Sequence, residues 1–271
     1  MRKPSQTQPD FPWWLIIVGV AAGYFFWHVA TNDRFSPIFG VMAKGIWVTI
    51  WVTLVSYLMA CALGLILALG QLSRWLVWRQ LARLYVEVMR GIPILVLLLY
   101  IAFALVPALV AGWNWVVQLH WIRLYLGWPE ISGRDIPFVW RAVMALTLAY
   151  ASFLAEVFRA GLMAVDQGQI EAAEALGLSG RQRFRLVVFP QAFRTILPPL
   201  GNDFVAMIKD SSLVSVVGVA DITQLGKVWA AGNFRYLDTY NVMALIYLTM
   251  TICLSLALRQ LEGRMRGRER R

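Results

Sequence analysis

Histidine and cysteine are scarce in this chain of 271 residues, two of each. His28 and His120 are far apart in sequence, and Cys61 and Cys253 both fall inside apolar runs. The cysteines therefore read as small buried hydrophobes rather than as a disulfide or half of a metal centre. Catalytic motifs are missing as well. There is no GxSxG and no HExxH. The nearest approach to a phosphate loop, GVADITQLGKV, leaves too long a gap between Gly218 and Lys227 and has Val228 where a hydroxyl residue is needed. A chain lacking these is not expected to be an enzyme or to hydrolyse ATP by itself. Acidic residues are also few, 15 against 25 Lys and Arg, but no soluble domain is available to present the +10 net charge to a nucleic acid, so none is expected as a partner. Asp203 and Asp210 are the aspartates of the apolar spans. At i and i+7 of one predicted helix they fit a polar stripe better than the facing pair of an intramembrane protease.

What the chain has instead is long apolar runs. Hydrophobic residues make up 59% of it, with 13 Trp, and the uncharged stretches reach bilayer-spanning length. The expected fold is an all-α integral membrane protein with about six transmembrane helices. They are placed at Trp13 to Ala30, Ile46 to Gly70, Leu84 to Val106, Phe138 to Phe158, Thr195 to Val219 and Tyr240 to Leu258. The first run follows Met1, Arg2 and Lys3 as a signal peptide would, but it is about 18 residues long and His28 spoils a cleavage pattern at Ala30, so a retained helix is expected. Between Pro107 and Pro137 lie Trp113, Trp115, Trp121 and Trp128, a density that suits interfacial or re-entrant helices, with an aromatic substrate cage as the alternative. Ser56, Ala60, Gly64 and Ala68 recur every four residues in the second span, and Gly19 with Gly23 forms GxxxG in the first; ordinary bundle packing explains either more simply than a dimer seam.

Basic residues set the orientation. Placing the N-terminus, the loop with Arg74, Arg79 and Arg83, the region around Glu171 and the C-terminal tail on one side collects 16 of the 25 Lys and Arg. Six lie opposite, and Arg90, Arg141 and Lys209 lie in or at spans. The positive-inside rule then makes both termini cytoplasmic.

Two sets of residues carry the functional reading. EAAEALGLSGRQRFRLVVFP, from Glu171 to Pro190, is a charged stretch between apolar spans. Helix-favouring Glu171, Ala172, Ala173 and Ala175 lead to Gly177, a natural stop, and Ser179 is placed to cap a second helix bearing Arg181, Arg183 and Arg185. Pro190, Pro198 and Pro199 are expected to punctuate the return to the membrane. The second set is ionisable. Glu87 with Arg90, and Glu156 with Arg159, are i and i+3 pairs near the cytoplasmic boundary, read as gate candidates or as mutually neutralised pairs. In the fifth span Asn202, Lys209 and Ser212 share one helical face, with Asp203 and Asp210 on the adjacent one and Ser211 between them. Lys209 lies roughly 14 Å along the helix from Leu200. A charge at that depth faces protein or water, which makes these residues candidates for a solute pathway.

The hairpin resembles the EAA loop of bacterial ABC importer permeases: Glu171, Ala172, Ala173, three residues, Gly177, nine residues, then Val187, Val188, Phe189 and Pro190, with Val187 and Phe189 in place of the usual Ile and Leu. VEVMRGIPILV, AEVFRAGLMAVDQGQIEAAEALG, FPQAFRTILPPLGNDF and IKDSSLVSVVGV resemble the polar amino-acid branch of that family. The resemblance covers roughly Gly40 to Met265. It implies a type I ABC importer permease domain over residues 40–262, with the EAA loop at about 166–191, after an N-terminal segment of residues 1–39 carrying an added helix and before a basic tail at 263–271. It further implies a permease of the bacterial inner membrane that pairs with a second permease subunit, the same or similar. Two cytoplasmic ATPase subunits would dock through Glu171, Ala172, Ala173, Gly177 and Pro190, and an extracytoplasmic solute-binding protein would deliver an amino acid. ATP and Mg would then belong to the partner ATPase subunits, with no cofactor on this chain. The alternative is a self-contained secondary transporter or channel using the same intramembrane charges.

Overall fold

The computed structural model describes residues 13–32, 34–119 and 127–267. His120, Trp121 and Arg123, the basic residues at positions 2 and 3, and the last four positions lie outside the described residues. Among the described residues the structure is helical with no strand. The helices are α1 (Trp13–Thr31), α2 (Ser36–Gln71), α3 (Leu76–Gly91), α4 (Ile94–Val117), α5 (Phe138–Met163), α6 (Gln167–Ala175), α7 (Phe189–Asp210), α8 (Ile222–Asn233) and α9 (Tyr236–Gly267).

The seam between α2 and α5 organises the bundle. Ser56, Ala60, Gly64 and Ala68, spaced by four and buried, let the two backbones approach. A Cβ on Gly64 would stand 3.0 Å from the Ala151 carbonyl oxygen and 3.1 Å from the Ala155 nitrogen. Ser56 Oγ donates to the Val143 carbonyl at 3.4 Å, and Thr147 Oγ1 donates to the Ser56 carbonyl at 3.4 Å. Residues 56 and 64 thus meet residues 143–147 and 151–155 in the same order, so α2 and α5 run parallel. The other small-residue pair behaves differently. A Cβ added to Gly19 or Gly23 would meet nothing within 4 Å, so among the described residues that motif is not a close helix contact. The cysteines, expected to be buried, are less so: Cys61 is half-buried and Cys253 lies on the exposed surface of α9.

Helix α7 runs back against α5, with Ile196 packed at Gly161 and Asp210 reaching Tyr150. Helix α9 opposes α7 in turn, Leu258 covering Gly201. The α2–α3 turn, the Glu171 hairpin and the C-terminal half of α9 therefore gather at one end of the bundle. At the other end Arg141, buried near the start of α5, donates from Nε to the Ile136 carbonyl at 3.0 Å, from Nη1 to Ala102 at 2.7 Å and from Nη2 to Gly133. Nearby, Trp113 stacks on Trp128 at 5.3 Å, and Asn114 makes a two-pronged bond with Ile131, donating at 2.8 Å and accepting at 2.9 Å. Trp113 and Trp128 thus belong to a folded cap on α4.

Among the described residues four helices are long and apolar enough to cross a membrane, Ser36–Gln71, Ile94–Val117, Phe138–Met163 and Tyr236–Leu261, a number that does not itself establish six spans. Two expectations about the spans are corrected. The span expected at Leu84 to Val106 is displaced, because Ile92, extended before Pro93, breaks the helix and α4 starts afresh at Ile94. The prolines do not interrupt the route into α7. Pro190 sits in its first turn and Pro198 and Pro199 inside it. A π-helical turn, Phe184–Val188, precedes Pro190, and another, Ile101–Leu105, precedes Pro107. In each, the amide just before the proline bonds five residues back, Phe189 to Phe184 and Val106 to Ile101, and the widened turn makes room for a ring that carries no donor.

Candidate functional site

Two regions correspond to the two residue sets, and α7 joins them. In the hairpin, Asp166 opens α6 by accepting from the Gly168 amide at 2.8 Å. Gly177 closes it with φ +75°, while the Leu178 amide reaches back to the Ala173 carbonyl at 3.1 Å, the six-to-one bond of a left-handed helix stop. Ser179 then starts a single turn, Gly180–Arg183, its amide donating to Gln182 Oε1 at 2.9 Å. Arg183 crosses the stop to pair with Glu174 at 3.0 Å on the exposed side of the hairpin. Ala173 is buried, whereas Glu171, Ala172 and Leu176, the last 81% exposed, face outward, and Pro190 is half-buried. From Arg183 the chain passes through the π turn into α7 with no loop between.

Deeper along α7 the ionisable residues part company. The Tyr150 hydroxyl, on a residue only 3% exposed, donates to Asp210 Oδ2 at 2.7 Å, binding α7 to α5. Lys209 points elsewhere, into two cavities between α7, α8 and α9. One, of about 220 Å³, is also lined by Val205, Thr251, Ser255 and Arg259. The other, of about 350 Å³, is lined by Ser212, Thr223, Tyr240 and Tyr247. Tyr247 is held in place by Thr223 at 2.9 Å and by donation to Asp221 Oδ2 at 3.2 Å. Asp221 is itself buried and caps α8 through the Gln224 amide at 2.8 Å. Asn202 is exposed and Asp203 half-buried on the same helix, while Ser211 is buried with its hydroxyl turned to the Ile208 carbonyl at 2.7 Å. Two cations with hydroxyl groups around them form a lining suited to a carboxylate-bearing solute.

This arrangement coincides with a known family. Residues 60–267 match the model for the binding-protein-dependent transport system inner membrane component. The chain belongs to that family. It is 34% identical over 218 residues to a probable amino-acid permease protein, YxeN, of Bacillus subtilis (strain 168), covering 80% of this chain and 88% of that one. To the glutamine transport system permease protein GlnP of Escherichia coli (strain K12) it is 33% identical over 230 residues, 85% of this chain and 95% of that one. Its fold superposes on a chain of an amino acid ABC transporter crystallised with histidines at TM-score 0.69 and 33% identity, over 85% of this chain and 95% of that one. A methionine ABC transporter, MetNI, in an inward-facing form shares the fold at TM-score 0.62 and 19% identity, over 84% of this chain and 97% of that one.

As a permease of this family, the chain brings together some of the expected residues and separates others. Glu156 and Arg159 form their i,i+3 pair at 2.6 Å. Glu87 and Arg90, at the same spacing, form none; both are exposed, and the Arg90 guanidinium lies 5.8 Å over the Phe153 ring. Tyr150, Thr223, Tyr247, Arg259 and Asp221 escaped the sequence reading. Asp221 carried a signal, an acid directly before a helical run after Gly218, where an N-cap belongs. Among the described residues no cluster of three or more His, Cys, Asp or Glu could hold a metal.

Proposed function

We propose that the chain is the membrane-spanning permease subunit of an ABC importer for polar amino acids, driven by two separate ATPase subunits and supplied by an extracytoplasmic binding protein. The observation that carries the proposal is the mechanical continuity of hairpin and pathway. An ATPase surface acting on Glu171 and Leu176 acts on a hairpin closed by the Gly177 stop, which runs without a loop into the helix bearing Lys209 and Asp210. A displacement of the hairpin is therefore a displacement of the cavity wall. ATP closure of the ATPase pair would favour one access state of the permease and hydrolysis the other, the coupling being the difference in docking free energy between the two states.

On this reading the hairpin end of the bundle is cytoplasmic, together with both termini, and ATP and Mg stay on the ATPase subunits. Lys209 and Arg259 would meet the carboxylate common to all amino acids, and a second copy of this chain or a similar one would complete the pore. The relatives named for amino-acid and glutamine transport support the substrate class. The test is reconstitution of the permease with its ATPase and binding-protein partners in vesicles, followed by uptake of labelled polar amino acids. ATP-dependent uptake is expected. Uptake by the permease alone, without ATPase subunits, would instead establish the secondary transporter, and no uptake of any amino acid would remove the substrate class.

A further inference from the structure

Helix α3 presents three sides of different character. One side packs on the bundle: Ala82 and Val86 are buried, Ala82 lies 3.1 Å from the position of a Gly70 Cβ, and the Tyr85 hydroxyl donates to the Leu148 carbonyl at 2.9 Å. A second side is an uncovered apolar stripe, Val77, Leu81, Leu84 and Val88, spaced i, i+4, i+7 and i+11 and between 45% and 69% exposed. The third is cationic: Arg79, Arg83 and Arg90 fall on one face, with Glu87 beside them and Arg74 just before the helix. None of Arg74, Arg79 and Arg83 makes an ion pair among the described residues. Trp75 and Trp78, 73% and 59% exposed, stand at the helix start.

The connections fix where this helix lies. Only residues 72–75 join it to α2, and only Ile92 and Pro93 join it to α4, and both of those helices are long and apolar enough to cross the bilayer. Tethered so tightly between two spans, with Ala82 at Gly70 near the end of α2 and the Tyr85 hydroxyl at Leu148 in the middle of α5, the helix runs from the end of the bundle into it. Its start, with Arg74, Arg79, Arg83, Trp75 and Trp78, therefore lies at headgroup level, and the apolar stripe on another side of the helix runs from there along the acyl region. We propose that α3 is a binding surface for anionic phospholipid, with Arg74, Arg79 and Arg83 engaging the headgroup phosphates and Val77, Leu81, Leu84 and Val88 lying along the acyl chains. The occupant follows from charge complementarity: three guanidiniums without an acidic partner at a lipid boundary favour an anionic headgroup over a zwitterionic one. The inference needs the chain to be a membrane permease and nothing about which solute it carries.

The test reads lipid locally. In the full-length chain carrying Cys61→Ser and Cys253→Ser, the exposed Gln80→Cys position is labelled with a fluorophore in nanodiscs, and quenching by brominated phosphatidylglycerol is compared with quenching by brominated phosphatidylcholine. Phosphatidylglycerol should be preferred. Arg79→Gln and Arg83→Gln should each lower the preference about fivefold, the equivalent of about 1 kcal/mol per basic side chain at an anionic surface, and Arg→Lys changes should keep it. Because each is a single change on an exposed or half-exposed side chain, folding is preserved and checked by an unchanged thermal midpoint. Equal quenching by the two lipids in the parent, or a preference that survives both glutamine variants, overturns the proposal. So does loss of the phosphatidylglycerol signal when the ATPase subunits bind, since the surface would then belong to a protein contact.

Discussion

Tyr150→Phe separates architecture from transport in the candidate pathway. The substitution keeps the ring and its packing and removes one donor, the hydroxyl 2.7 Å from Asp210 Oδ2. A hydrogen bond to a charged group contributes about 1.5 to 3 kcal/mol, while interhelical bonds measured inside membranes average about 0.6 and reach about 1.7 kcal/mol, because the unfolded chain in lipid finds other partners. Asp210 is half-buried and already has some access to water, so the lower part of the first range meets the upper part of the second at about 1.5 kcal/mol. Asp210→Asn should cost a similar amount, and the double variant should cost little more than either single one, since both remove one bond. The assay is thermal unfolding of the purified permease for all four members of the cycle, with ATP-dependent uptake measured in parallel. Uptake should fall in proportion to the lost fraction of folded protein for Tyr150→Phe and no further. If Tyr150→Phe left the midpoint unchanged while abolishing uptake, the pair would be part of the solute path and the assignment of Asp210 as an interhelical tie would be refuted. Additive costs in the double variant would show that the two side chains act separately.

Lys209→Met should show the opposite profile, an unchanged unfolding midpoint and a loss of uptake of about tenfold or more, because Lys209 is exposed to both cavities and one tenfold step corresponds to a single lost charge-assisted contact of about 1.4 kcal/mol; full uptake would remove it from the pathway. Gly177→Val should fold and insert but reduce co-purification of the ATPase, since nothing lies within 4 Å of a Cβ there and the cost, about 1 kcal/mol or more, comes from holding a branched residue at φ +75°. Gly64→Leu should destabilise the permease by about 1 to 3 kcal/mol or more in a chemical denaturation series, because the clash falls on the backbone of α5 at 3.0 Å rather than on a side chain that can turn aside. Arg141→Met should lower the thermal midpoint by the largest margin of the set, leaving the Ala102, Ile136 and Gly133 carbonyls without their donor at once.

Much of this is legible in the sequence, and the division between what is and what is not has a physical cause. Features encoded by spacing along one chain segment can be read: the every-four run from Ser56 to Ala68 meets α5, and the Gly177 stop has its positive φ. Features decided by a partner on another segment cannot. Arg141 is satisfied by three carbonyls, and a carbonyl leaves no mark in a sequence. Identical i,i+3 spacing gives a closed pair at Glu156 and Arg159 and none at Glu87 and Arg90, where an aromatic ring on α5 attracts the guanidinium instead. Sequence puts Lys209 and Asp210 on adjacent helical faces as pathway candidates, and only the packing shows their different surroundings, Tyr150 of α5 for Asp210 and the cavities beside α9 for Lys209. The displaced span at Leu84 has a local origin, the proline at 93, whose effect on the preceding residue outweighs the apolar run around it.

The π turn between the hairpin and α7 has a consequence for how the chain tolerates change. A helix advances about 1.5 Å and turns about 100° with each residue, so the direction in which the Glu171 surface faces and the direction in which Lys209 faces are tied by a whole number of residues. Phe184–Val188 carries the extra residue of a wide turn, and that residue sets the phase between the two ends. Side chains along this segment are exchangeable so long as they suit their surroundings, but its length is not. Dropping one residue there would leave a well-formed hairpin and a well-formed cavity wall pointing about a quarter-turn apart, two sound parts that no longer face their partners at the same time.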